Sequence, residues 1–272
     1  MSRIAACIAS RREQAGKLLI PYLVAGDPNL KLSLALMHGL VAAGADIIEL
    51  GVPFSDPSSD GAVIQQGSER ALAQGTSLKD VLQLVTEFRQ TNDSTPVVLM
   101  GYLNPVEIMG YEAFARAAAK AGVDGVLLVD LPPREAQPLA GLLKDAGIDT
   151  IFLVAPTTSA ARVKTIVDAC SGYLYYVSLK GVTGAAITDS AAIAESIQAL
   201  RQQTRLPIVI GFGIKTPDNA VAMAAASDGV VIGSALVARI GELADSKDPT
   251  AQQLADTVSL IADSRRALDN SK

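Results

Sequence analysis

One junction recurs along the chain and constrains its fold more than any other feature. It reads "AAGADIIELG" at 42–51, "KAGVDGVLLVD" at 120–130, "DAGIDTIFLVAP" at 145–156 and "AASDGVVIGS" at 225–234. Each copy is an alanine-rich helix end, a glycine or other small residue, an aspartate and then an apolar run. Glycine stops a helix because it enters the left-handed region without a Cβ clash. The uninterrupted apolar runs suit strands buried on both faces, as in parallel sheets. Filling in between them predicts eight strands, near 18–24, 46–50, 96–101, 124–129, 149–154, 173–178, 207–211 and 228–232. Helical patterns fall near 29–43, 77–90, 111–121, 134–146, 159–169, 190–203 and 216–226, with a helical tail from 234 to 268 broken near Asp248-Pro249. The first residues, "MSRIAACIASRREQAGKLL", read as an amphipathic helix.

Strands alternating with helices imply a parallel sheet with right-handed crossovers. Eight such units match an α/β fold, a (β/α)8 TIM barrel with an extra N-terminal helix, and residues 1–272 are expected to form one domain. An open doubly wound sheet is the rival. It favours a glycine fingerprint after the first strand, and "LVAGDPNL" carries a single glycine there.

Composition narrows the function classes. A net charge of -5 argues against a nucleic-acid binder. No window approaches the apolar length of a membrane span, and the N-terminus lacks a signal-peptide core, so a cytoplasmic protein is expected. The two cysteines, Cys7 and Cys170, form no CxxC or Cys/His cluster, which argues against zinc and for free thiols. His38 is the sole histidine and lies in a helical pattern. Acid/base work therefore falls to carboxylates, tyrosines or lysines.

Active sites of such barrels lie where the strands' C-terminal ends meet the following loops. The second and sixth of these loops are the longest and are candidate lids. Side chains alternate along a strand. If Ile48 and Leu50 face the helices, Ile47 and Glu49 face the barrel interior. A carboxylate among apolar neighbours has a raised pKa, which suits a general acid/base near neutral pH. Asp56 and Asp60 follow in the second loop. Asp56 reads as a turn residue, whereas small neighbours in "SSDGA" let Asp60 bend over the barrel mouth. Glycines in "GFGIKTPDN", "IGSAL" and "GVTG" supply backbone N–H groups at helix starts and point to a phosphorylated ligand.

The ordered set "PYLVAGDP", "ELGVPFSDPSSDG" with "VIQ", "DLPP", "GVTGA" and "GFGI" closely resembles the α subunit of tryptophan synthase, over essentially the whole chain. The resemblance implies a lyase of tryptophan biosynthesis, cleaving indole-3-glycerol phosphate to indole and glyceraldehyde 3-phosphate by a retro-aldol reaction. It implies Glu49 as the acid/base and Asp60 as acceptor of the indole N–H. Thr183 is implied in lid closure, Tyr175 and Phe212 line the substrate, and Gly184, Gly213, Gly233 and Ser234 cradle its phosphate. No metal or cofactor is implied for this chain. Pyridoxal phosphate belongs to a β subunit, which receives indole through a tunnel in an α2β2 heterotetramer. Contacts with that partner are expected from Pro53, Phe54 and Asp56, and from Asn104 and Pro105. The sequence departs from the family pattern at Ser58 and Ala62, where a larger apolar residue and a proline are expected, and at Leu179-Lys180, where some relatives carry arginine. Two other readings stay open: a Schiff-base aldolase using Lys180 or Lys215, and a barrel that binds a phosphorylated metabolite without catalysis.

Overall fold

The structure, a computed structural model, describes residues 2–177, 190–211, 213–244, 246 and 248–271. In chain order the strands are β1 (Leu18–Val24), β2 (Ile48–Gly51), β3 (Val97–Gly101), β4 (Gly125–Leu128), β5 (Asp149–Thr150), β6 (Phe152–Val154), β7 (Leu174–Val177), β8 (Ile208–Gly211) and β9 (Gly229–Ile232). The helices are α1 (Arg3–Glu13), α2 (Leu30–Ala42), α3 (Ala62–Ala73), α4 (Leu78–Arg89), α5 (Leu103–Met109), α6 (Tyr111–Ala121), α7 (Gln137–Asp145), α8 (Ala160–Ala169), α9 (Ser190–Arg201), α10 (Pro217–Ala224), α11 (Ser234–Gly241) and α12 (Ala251–Asn270).

The strands pair in parallel in the order β5-β4-β3-β2-β1-β9-β8-β7-β6. β5 and β6 are separated only by Ile151 and are two halves of one extended segment. Ile151 N–H donates to Val126 O (2.9 Å) on one side, and Ser171 N–H donates to Thr150 O (2.8 Å) on the other. That segment closes the ring, so the architecture is a (β/α)8 barrel.

Strand parity divides the core in two. Leu19, Leu23, Ile48, Leu50, Leu99 and Ile210 pack outward against the helices. Leu18, Ile20, Tyr22, Ile47, Val98, Leu127, Tyr173, Tyr175, Val209 and Val231 fill the interior. The extra helix α1 serves the interior too. Its N-cap Ser2 accepts from Ala5 N–H (3.2 Å), and fully buried Ile4 lies where a Cβ on Gly125 would approach it to 3.1 Å. Among the described residues no helix is long and apolar enough to cross a membrane.

Three of the four junction aspartates share a task, while the fourth, Asp149, accepts from the Ser2 hydroxyl (3.0 Å). Asp46 accepts from Leu19 N–H (2.8 Å) and pairs with Arg11 and Arg265. Asp124 accepts from Val97 N–H (2.8 Å) and pairs with Arg89 (2.6 Å) and Arg3 (2.9 Å). Asp228 accepts from Ile208 N–H (2.8 Å) and pairs with Arg201 (3.0 Å). Each ties the start of one strand to its neighbour, at the barrel end opposite the candidate site. Buried carboxylates need such charge-assisted partners.

Three helices differ from the sequence expectation. The second loop ends at Gly61 and α3 begins at Ala62, with no side-chain cap to announce it. The short α5 arises from "GYLNP", where Pro105 occupies the first helical turn and its missing N–H has no intrahelical role. Helix α7 starts at Gln137 rather than near 134, because Pro132 O already accepts from Glu135 and Ala136 N–H in a separate turn.

Candidate active site

Glu49 lies in β2, in register with Tyr22 of β1 and Val98 of β3. Its neighbours Ile48 and Leu50 belong to the outer core, so parity turns Glu49 inward as expected. The residue is fully buried. Tyr173, just before β7, donates a 2.6 Å hydrogen bond to Glu49 Oε1. Glu49 Oε2 has no partner among the described residues. Burial outweighs the Tyr173 bond and pushes the carboxyl from 4.5 up to about 7. The group can thus both give and take a proton near neutral pH.

Asp60 is partly buried in the loop between β2 and α3. Tyr102, after β3, donates to Asp60 Oδ2 (3.0 Å) while its own hydroxyl oxygen accepts from Ser59 N–H (2.9 Å). Gln65 Nε2 donates to Asp60 O (2.8 Å), and Asp60 N–H donates to Pro57 O (3.0 Å). These bonds fix the loop even with Ser58 and Ala62 in place. Desolvation raises the Asp60 pKa, against the Tyr102 bond. Burial first, then Asp60, pushes Tyr102 up to about 12, so its hydroxyl stays a donor. Asp56 is exposed and bonded by the adjacent Ser55 hydroxyl (2.6 Å), in keeping with a turn role.

Tyr175 of β7 points into the same space. Burial, then Glu49, Tyr22 and Asp60, holds its phenol well above the ordinary value. Glycines at strand ends make room for these rings. A Cβ on Gly211 would collide with the Tyr175 hydroxyl, and one on Gly51 with that of Tyr22.

Around the mouth, Gly213 takes a φ of 75°, a conformation that favours glycine. Gly233 caps α11 and Ser234 begins it. The first turn of a helix leaves N–H groups that suit an anion. The structure thus brings Glu49, Asp60 and Tyr175 together at one barrel end. Gly213, Gly233 and Ser234 follow β8 and β9, whose C-terminal ends open on that same end. Thr183, Gly184 and Phe212 lie outside the described residues, as do Leu179 and Lys180. Lys215 is exposed in the loop after β8, which does not suit a Schiff-base lysine facing inward from a strand.

Sequence reasoning missed Tyr22, Tyr102 and Tyr173. A parity signal was present for two of them: Tyr173 and Tyr175 share a strand face, and Tyr22 lies in an otherwise apolar first strand. His38 packs on Phe88 (ring centroids 4.9 Å), a structural role. Both thiols are free and partly buried, and burial pushes each up to about 12.

The family model for the tryptophan synthase alpha chain matches residues 8–266. The chain belongs to the tryptophan synthase alpha chain family. A family member from Thioalkalivibrio sulfidiphilus is 56% identical over 269 residues, covering 99% of this chain and 100% of the relative. One from Cupriavidus taiwanensis is 55% identical with the same coverage. Among solved structures, tryptophan synthase subunit alpha from Legionella pneumophila superposes with a TM-score of 0.91 at 43% identity, covering 99% of each chain. A chain of tryptophan synthase from M. tuberculosis, in its aminoacrylate-bound form, gives 0.86 at 33% identity, covering 98% of this chain and 100% of that one.

Proposed function

We infer that this α chain, one barrel domain over residues 1–272, cleaves indole-3-glycerol phosphate to indole and glyceraldehyde 3-phosphate, with Glu49 as proton shuttle. The observation that carries the assignment is Glu49 itself: an inward, fully buried carboxyl poised at about 7 at the same barrel mouth as a second, partly buried carboxyl.

Protonated Glu49 gives its proton to indole C3, and the ring becomes an electron sink. Positive charge appears at the ring nitrogen, where Asp60 accepts the N–H and stabilises it. The Glu49 carboxylate then takes the proton of the hydroxyl on the carbon attached to C3. That carbon becomes the aldehyde as the C–C bond breaks, and the bonding electrons return to the ring. One proton enters at C3 and one leaves the hydroxyl, so Glu49 ends as it began. Tyr175 and Phe212 line the indole, Gly184, Gly213, Gly233 and Ser234 hold the phosphate, and Thr183 closes over the site. Family membership supports each of these assignments.

The product indole passes to a β subunit in an α2β2 assembly. Phe54 stacked on Tyr102 (ring centroids 5.0 Å), exposed Asp56 and Asn104, and Ile108, 80% exposed on α5, offer a mixed apolar and polar surface beside the site for that partner. Pro53 is buried and supports this surface from within.

The test is indole release by the purified chain from indole-3-glycerol phosphate, with and without a β subunit from a relative. The chain has no tryptophan, so its own emission, from tyrosine alone, leaves indole fluorescence readable against a matched blank. Equal amounts of indole and aldehyde, formed faster with the β subunit, are expected. Folded protein that releases no indole under either condition would contradict the assignment.

A further inference from the structure

The mechanism above makes no use of the Tyr22 hydroxyl at the barrel mouth. Tyr22 projects inward from β1 and is 6% exposed. One edge of its ring faces Gly233, the cap of α11, where a Cβ would stand 3.6 Å from Cδ1. Its other edge and hydroxyl lie over Gly51, two residues after Glu49 on the same strand face. Tyr22 therefore spans the distance from the proposed phosphate cradle to the carboxylates.

A buried phenol hydroxyl is costly unless it finds a partner. Tyr173 and Tyr102 donate to Glu49 and Asp60, and the Tyr22 hydroxyl donates to neither. It is still near enough to both that their charge, after burial and with Asp60 ahead of Glu49, raises its pKa. The phenol stays protonated, and among the described residues its hydroxyl donates to no partner, which leaves a donor between the two ends of the substrate.

We propose that the Tyr22 hydroxyl, set between Gly233 and Gly51, donates a hydrogen bond to a hydroxyl of the substrate's glycerol chain and so fixes that chain for cleavage. The inference rests on the retro-aldol reading above. A phosphate held at Gly233 and an indole held at Asp60 place the polyol across the Tyr22 ring. The donor would select a hydroxylated linker over a plain alkyl one.

Tyr22→Phe keeps the ring and removes only the donor. Two ligands distinguish its effects: the natural substrate, and an indole joined to phosphate by an unsubstituted propyl chain. The expected result is a roughly tenfold fall in kcat/KM for indole-3-glycerol phosphate, with the Kd of the propyl analogue unchanged. A loss below about threefold, or an equal loss for both ligands, overturns the proposal, the latter assigning Tyr22 to packing alone. Wild-type protein measured alongside separates the two readings. Wild-type turnover with an unaffected variant removes only the Tyr22 assignment, and absent wild-type turnover removes the cleavage reading with it.

Discussion

Tyr173 and Glu49, 124 residues apart in sequence, meet in the barrel interior through a 2.6 Å hydrogen bond to Glu49 Oε1. This bond favours the charged carboxylate and opposes the larger effect of burial, so the Glu49 titration point is a balance between the two.

Removing the bond tilts that balance. In Tyr173→Phe the Glu49 titration moves above about 7, by roughly one pH unit given the worth of a hydrogen bond to a charged group. The pH dependence of kcat/KM reads the shift. An inflection that stays in place would leave Tyr173 as packing only.

Stability carries the same signature. The folded chain binds the Glu49 proton more tightly than the unfolded chain, at about 7 against 4.5. The stabilising contribution of the neutral carboxyl is complete below the unfolded value and is lost as pH rises through the folded one. Glu49→Gln is neutral throughout. Between about pH 5 and about pH 8 the wild type should lose on the order of 3 kcal/mol relative to the variant. Urea unfolding at both pH values tests this, and parallel changes in the two proteins would argue against a raised Glu49.

Asp60 is bound by Tyr102 in a loop anchored on both sides. Asp60→Asn keeps the shape and an acceptor but removes the charge that faces the developing cation. Turnover should fall by about 100-fold with KM little changed. Steady-state rates at the wild-type level would remove Asp60 from the chemistry.

At the far end of the barrel, Asp124 holds Val97 N–H and two arginines. Asp124→Ala removes the counter-charge of the mostly buried Arg89 guanidinium, which keeps only backbone carbonyl partners, and should cost about 3 kcal/mol of stability. The kcat of the folded fraction should not change. Calorimetric melting and active-site titration together check both halves, and a kcat loss in folded protein would show coupling between the barrel ends.

Much of this arrangement is legible in the sequence, for a physical reason. Parallel strands buried on both faces leave apolar runs, and a small residue with an aspartate marks the starts of four of them, so each strand lies within about two residues of its expected place. Parity alone turns Glu49 inward. The Asp46 junction shows the limit: the aspartate looked like strand, but its side chain serves Leu19 N–H and β2 begins only at Ile48. Helix α3 begins without a side-chain cap, so no local signal marks it. Tyr173 reaches Glu49 across the barrel only because the sheet closes, and Tyr102 reaches Asp60 across the β2–β3 pair; no local pattern records either meeting.

The central claim is that Glu49 moves the proton, and Glu49→Gln tests it most directly. The substitution preserves size and hydrogen bonding while abolishing titration. Indole release by the pure variant should fall by at least about 100-fold, with the propyl analogue bound as tightly as by the wild type. Turnover within about tenfold of wild type, in a variant that binds the analogue normally, would contradict the account.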